Sequence, residues 1–167
     1  AVDVTTGSGT LSRRLGNVVH CDAVNGKGID VQADARALPF QNGSFGLGLY
    51  DPPYLYGRTS RHHSGLLPGT TWTERHSTWS SPKEAEEVHQ AVAKEMLRVL
   101  RPGGCAVVKV ADSRLKGRLV LNHVMVWNAF VNAGFTSRDL LVYLRTNTGV
   151  FPCKKSAQNA HGYYIVM

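Results

Sequence analysis

The chain predicts an α/β fold: a mostly parallel sheet with an antiparallel edge strand and helices on both faces. Three observations carry the prediction. Short β-rich runs alternate with connections through the first fifty residues, and two segments of helical period follow, each closed by glycine. Two final β-rich runs, "DLLVYLR" and "GYYIVM", are joined by a segment too polar and too short for a crossover helix. Parallel neighbours need such a crossover, so these last two strands suit an antiparallel pair at the edge.

Taken in order, "AVDVT" is a strand, and "TGSGTLSRRL" is a glycine turn leading into a short helix. "NVVHCD" and "GIDVQAD" are strands that each end in Asp, "ARALPFQNGS" is a polar loop, and "FGLGLY" is a strand stopped by Pro52 and Pro53, which have no N–H to give a ladder. Residues 58–81 follow neither period and form a long basic loop. Pro82 then follows Ser80 and Ser81, with Glu84, Glu86 and Glu87 in the first turns, where the helix dipole favours anions. The spacing of Ala85, Val88, Val92, Met96, Val99 and Leu100 predicts a helix that "RPGG" terminates. "CAVVKVAD" is a buried strand, and Leu119 to Ala133 a second helix closed by Gly134.

The 167 residues suit one domain, and 43% apolar content supports a real core. No apolar run approaches a bilayer span and no cleavable leader opens the chain, so a cytoplasmic location is expected. The chain starts inside one strand and stops inside another, which leaves room for flanking sequence. Cys21, Cys105 and Cys153 are odd in number and widely spaced, which argues against a disulfide framework or a metal cluster. His62, His63 and His76 lack Cys or acidic partners at ligand spacing, so no metal is expected. A net charge of +7 would draw a polyanion to any face where the cations gather.

In open α/β sheets ligands bind beyond the carboxyl ends of the strands, and four acids stand there. Asp3 precedes Gly7 and Gly9, whose backbone can approach a ligand closely. Asp22 ends the second strand, where an acid commonly accepts ribose hydroxyls, and Asp34, beside Ala35, ends the third, where it could take an adenine amine. Read alone, Asp22 and Asp34 are each more often a turn residue or a helix cap. Ser12 stands where a dinucleotide fingerprint wants its third glycine, which disfavours hydride chemistry.

The fourth acid opens "DPPY". An exocyclic base amine is barely nucleophilic because its lone pair is delocalised into the ring. Asp51 and the Pro52 carbonyl could accept both amine hydrogens and localise that pair, with Pro53 stiffening the turn and Tyr54 stacking on a base taken out of its helix.

"DVTTGSGT", "DARALPF", "DPPY" and "LRPGG" stand in the order that resembles the Rossmann-like, S-adenosylmethionine-dependent methyltransferases, and "DPPY" is similar to the signature of those that methylate base amino groups, chiefly adenine N6. The closing "NAHGYYIVM" resembles their late strand. The resemblance spans nearly the whole chain and implies S-adenosyl-L-methionine as cofactor. Asp3, Thr5, Gly7 and Gly9 would line its methionine side, Asp22 its ribose, and Asp34 with Ala35 its adenine. Asp51, Pro52, Pro53 and Tyr54 would hold the target base of a nucleic acid, DNA ahead of RNA. A binding module that has kept the fold but lost catalysis is the rival reading, and a small-molecule methyltransferase a third.

Four features depart from that pattern. Gly46 and Gly48 replace larger residues and imply a looser fourth strand. Only about ten residues separate Asp22 from Asp34, too few for the usual helix. The usual upstream cover is not expected among these residues. No target-recognition domain is evident, so sequence reading falls to the loop, where Arg58, Arg61 and Arg75 could meet phosphates and Trp72 or Trp79 could stack or wedge, or else to a dimer or a separate specificity partner. Lys109 reads as a strand-end residue reaching for solvent.

Overall fold

The computed structural model describes residues 1–7, 9, 11–56, 79–144 and 161–167. Arg58, Arg61, Trp72, Arg75, the three loop histidines and Cys153 lie outside them. A seven-stranded sheet is built from β1 (Val2–Asp3), β2 (Val19–Asp22), β3 (Val31–Gln32), β4 (Phe45–Tyr50), β5 (Leu100–Val110), β8 (Asp139–Leu144) and β9 (His161–Val166), in the order β3-β2-β1-β4-β5-β9-β8. The first five strands are mutually parallel. β9 runs antiparallel between β5 and the edge strand β8. The expected antiparallel pair is therefore present, with its reversed strand one place in from the edge.

Helix α1 (Pro82–Val99) starts where the sequence predicts. Ser81 Oγ accepts from the Glu84 amide at 3.2 Å, while the Glu84 carboxylate accepts from the Ser80 amide at 2.6 Å, so orphan donors of the first turn are satisfied reciprocally. Its buried stripe of Ala85, His89, Val92, Met96 and Val99 faces the sheet. "RPGG" does not separate helix from strand: β5 begins at Leu100 and runs through it.

Helix α2 (Asn122–Ala133) is shorter than predicted. Lys116 and Gly117, both at positive φ (49° and 80°), make a tight turn that pairs β6 (Ser113–Leu115) with β7 (Arg118–Val120), removing Leu119 and Val120 from the helix. Gly134, at φ 114°, closes α2 with its amide on the Phe130 and Val131 carbonyls. The helices pack on each other. Among the described residues both therefore lie on one face of the sheet, and the other face carries no helix. One cluster joins Val92, Met96 and Val99 of α1, Val126, Ala129 and Phe130 of α2, and Val108, Val110 and Ile165 of the sheet.

Among the described residues no helix stands at the expected first position. Arg13 N donates to Gly9 O at 2.9 Å and Leu15 N to Ser12 O, giving single turns before β2 starts, too short a run to repay helix nucleation. The fourth strand is not loose. A Cβ on Gly48 would lie 2.6 Å from Met96 Cε, and one on Gly46 would lie 2.9 Å from the Arg101 guanidinium, so neighbouring side chains fill what the glycines vacate.

Candidate cofactor and acceptor site

The carboxyl ends of β1, β2 and β4 meet. Gly7 and Gly9 hold positive φ (51° and 71°), which keeps the loop after β1 tight. Asp3 is buried beneath that loop, taking the Ser12 hydroxyl at 2.5 Å and the Thr5 amide at 3.3 Å. Burial raises its carboxyl above the ordinary range, against the pull of the Ser12 hydrogen bond. Asp3 thus braces the loop from below. Asp22 accepts from the Gly7 amide at 2.8 Å and from the Val24 amide at 2.9 Å, tying the glycine turn to the end of β2 and retaining acceptor positions for hydroxyls.

Asp34 is engaged by its neighbour. Arg36 donates from its backbone, Nε and Nη2, the shortest contact being 2.6 Å, and holds the carboxyl below its usual value. With those positions filled, Arg36 must swing away before Asp34 can meet an adenine amine. Ala35 is half-buried next to it. The following loop is clamped to α1: Glu95 accepts from the Leu38 amide, and Arg98 donates to the Leu38 and Phe40 carbonyls.

Asp51 leaves β4 with its amide donating to Thr5 Oγ1 at 2.8 Å, so the acceptor tetrapeptide and the glycine loop are joined directly. Pro52 is buried, and Pro53 and Tyr54 are half-buried. The Pro53 carbonyl accepts from the Trp79 indole at 2.7 Å, and the Tyr54 carbonyl from Asn122 Nδ2 at 3.1 Å. Trp79 is half-buried with its ring edge-on to His89, so it props the tetrapeptide from within and does not stand out as a wedge. His89 is buried and bonds Tyr50 at 2.9 Å; burial drops its imidazole to about 4.

Lys109 corrects its expectation. It does not reach for solvent: its Nζ lies 2.5 Å from Asp51 Oδ2, with the two side chains 18% and 20% exposed. Burial alone would lower its ammonium, but the charge and hydrogen bond of Asp51 outweigh burial and raise it.

A second polar group escaped sequence reading. Asp112, just past β5, accepts from His123 Nδ1 at 2.7 Å and from the Tyr163 hydroxyl at 3.4 Å; the His123 and Tyr163 rings stack 4.1 Å apart, and His161 Nε2 lies 2.9 Å from the Tyr163 hydroxyl. Asn122, buried beside it, ties the start of α2 to the carbonyls of Tyr54 and Ala111 and accepts from the Tyr56 hydroxyl at 2.6 Å. The only signal in the sequence was the His and Tyr of "HGYYIVM".

Among the described residues no helix is long and apolar enough to cross a membrane, and no group of three or more His, Cys, Asp or Glu side chains gathers to hold a metal ion. Cys21 is buried and Cys105 half-buried, both as free thiols.

No family model matches the sequence, and no curated protein matches it. Solved structures do. The chain is similar to a "Putative DNA Modification Methylase" of Thermus thermophilus complexed with S-adenosyl-L-methionine, at 21% identity and a TM-score of 0.53, over 80% of this chain and 52% of that one. It is also similar to a SAM-dependent methyltransferase of Methanosarcina mazei (12% identity, TM-score 0.57, 99% and 89% covered). A third is the 1,6-didemethyltoxoflavin-N1-methyltransferase of Burkholderia thailandensis with bound 1,6-didemethyltoxoflavin and S-adenosylhomocysteine (15% identity, TM-score 0.55, 99% and 68% covered). The chain spans about half the length of the Thermus protein. At these identities the likeness establishes the fold: a Rossmann-like methyltransferase sheet, mostly parallel, with its reversed strand near one edge.

Proposed function

We propose that the chain transfers a methyl group from S-adenosyl-L-methionine to the exocyclic amino group of a nucleic-acid base, with adenine N6 in DNA the first substrate and RNA the second. One observation carries the reading: the Asp51 amide is bonded to Thr5 of the glycine loop, so the carboxylate that would hold an amine stands beside the turn that would hold the donor. The residues fit that donor. Gly7 and Gly9 leave the turn without side-chain bulk, and Asp22, anchored on the Gly7 amide, keeps acceptor positions for a ribose. When bound, the cofactor supplies a methyl carbon on a sulfonium, whose departure as a neutral thioether needs no covalent enzyme intermediate.

The chain's own contribution is positioning and electrostatics. Asp51 accepts an amine hydrogen and localises the nitrogen lone pair, the buried Pro52 keeps the turn rigid, and Trp79 and Asn122 brace the Pro53 and Tyr54 carbonyls that follow. The Thermus neighbour and the net charge of +7 support a nucleic-acid target. Arg58, Arg61, Trp72 and Arg75 would supply backbone and base contacts, and target reading would come from that loop or a partner.

Asp51→Ala tests the reading. Methyl transfer from tritiated cofactor to DNA should fall about 10²-fold or more while cofactor binding persists; unchanged turnover overturns the assignment. Digesting the product to nucleosides and weighing the methylated base separates adenine from other bases and DNA from RNA. The sparse cofactor-side half, which has no helix among the described residues between β1 and β4, favours one rival, a nucleic-acid-binding module without catalysis. Calorimetry decides between them, since a module of that kind gives no heat with millimolar cofactor.

A further inference from the structure

We infer that Lys109 is a positioning and specificity-determining residue, whose ammonium fixes the Asp51 carboxylate and restricts the acceptor to a neutral, ring-bound amine. The inference rests on the methyl-transfer reading above and narrows its substrate class.

Lys109 projects from β5 toward the end of β4, opposite Tyr164 of β9 in the antiparallel register. Tyr164 and Tyr143 of β8 form a tilted ring pair 5.0 Å apart. Tyr143 reaches that place because Gly162 has no Cβ; one built there would lie 2.5 Å from the Tyr143 ring. Among the described residues, the ionisable groups facing the Lys109–Asp51 pair are Asp3 from β1, Tyr54 from the tetrapeptide, Tyr164 from β9 and Tyr143 from β8. An ammonium so enclosed stays protonated because of Asp51, and in turn donates to Oδ2 of that carboxylate.

This arrangement filters acceptors by charge. An alkylamine such as a lysine side chain or a polyamine is a cation at neutral pH. It would enter beside a fixed ammonium and would need to give its proton to a carboxylate already compensated. A base amine is neutral and needs only an acceptor for its hydrogens. Its nitrogen bonds the methyl carbon as the sulfonium–carbon bond breaks, and the surplus proton then leaves the nitrogen for water.

The test compares wild type with Lys109→Met, Lys109→Gln and Lys109→Arg. Methyl transfer is measured to an adenine-containing oligonucleotide and to spermidine, and cofactor affinity by calorimetry. Wild type should methylate the oligonucleotide and leave spermidine unmodified. Lys109→Met should lose about 10²-fold in kcat with cofactor affinity within twofold, as expected for a misplaced catalytic group. The acid limb of its pH profile should move to higher pH, because Asp51 has lost the cation that favours its charged form. Lys109→Arg should retain most of the activity and the wild-type acid limb, and Lys109→Gln gives the same reading as Met should Met impair folding. An active wild type with kcat and acid limb unchanged in Met and Gln overturns this inference alone, as does comparable methylation of spermidine. A wild type that binds cofactor but modifies no base overturns the reading of function and this inference with it.

Discussion

The two halves of the sheet share one core but are packed to different degrees. From β4 to β9 the chain is a packed core: Val92, Met96, Val99, Val108, Val126, Phe130 and Ile165 are almost wholly excluded from water around two mutually packed helices. From β1 to β3 the strands have two to four residues, and among the described residues no helix covers them. Val2, Val4 and Cys21 still reach the shared core, and polar side chains add to the joining, Asp22 to the Gly7 amide, Asp30 to the His20 amide and Ser12 to Asp3. The tetrapeptide leaves the packed half, whereas the glycine loop belongs to the hydrogen-bonded one. The acceptor side is therefore seated on the more densely packed half, and the donor side on the half with more polar joints.

The largest effect that tests this contrast is on stability. Phe130→Ala should cost about 3–5 kcal/mol, as for any large aromatic removed from a packed interior. Val31→Ala, at a half-buried position in β3, should cost within about 1 kcal/mol. Denaturant titration of both variants measures the difference; equal costs would mean that the two halves are stabilised alike.

The next effect is a pH dependence seated in the packed half. Folded His89 titrates near 4, against 6.5 when free. As pH falls below 6.5 the unfolded chain takes up a proton that the folded chain refuses, so stability drops until the buried ring itself protonates near 4. The shift corresponds to about 3 kcal/mol over that window. Asp34 and Glu95, whose carboxyls are lowered chiefly by hydrogen bonds from Arg36 and Arg98, begin to withdraw their contributions as pH falls below their free values of 3.8 and 4.5. His89→Gln can still bond Tyr50 and should flatten the slope between pH 6.5 and 4, followed by chemical denaturation at each pH.

The same contrast explains what was legible in the sequence. Packing leaves periodic marks, so α1, β4, β5, the late strand pair and the proline stop after Tyr50 could all be read. Hydrogen bonding between short strands leaves none. The helix expected after Gly9 is replaced by turns because Ser12 bonds the buried Asp3, a contact that spacing does not announce. Lys109 was misread for a related reason. A lysine between valines marks a strand, but whether it ends in solvent or on Asp51 depends on the register of β4 against β5. His123 and Asp112 meet only because a two-residue turn delays the start of α2. The four acids at the strand ends could be located, but their local engagements could not.

The smallest effect is the sharpest test of the donor half. Asp34 and Arg36 form a pair whose side chains are about half exposed, so Arg36→Ala should change stability by no more than about 0.5 kcal/mol. Its effect on cofactor affinity has a defined sign. In the free chain Arg36 fills the acceptor positions of Asp34, so an adenine amine must displace it. Removing the guanidinium abolishes that competition, and calorimetry with S-adenosyl-L-methionine should show affinity rising a few-fold, with Asp34→Ala weakening it. If Arg36→Ala weakens binding instead, the arginine itself contacts the cofactor, and the donor half is ordered by a cation at β3 where the sequence pointed to an acid.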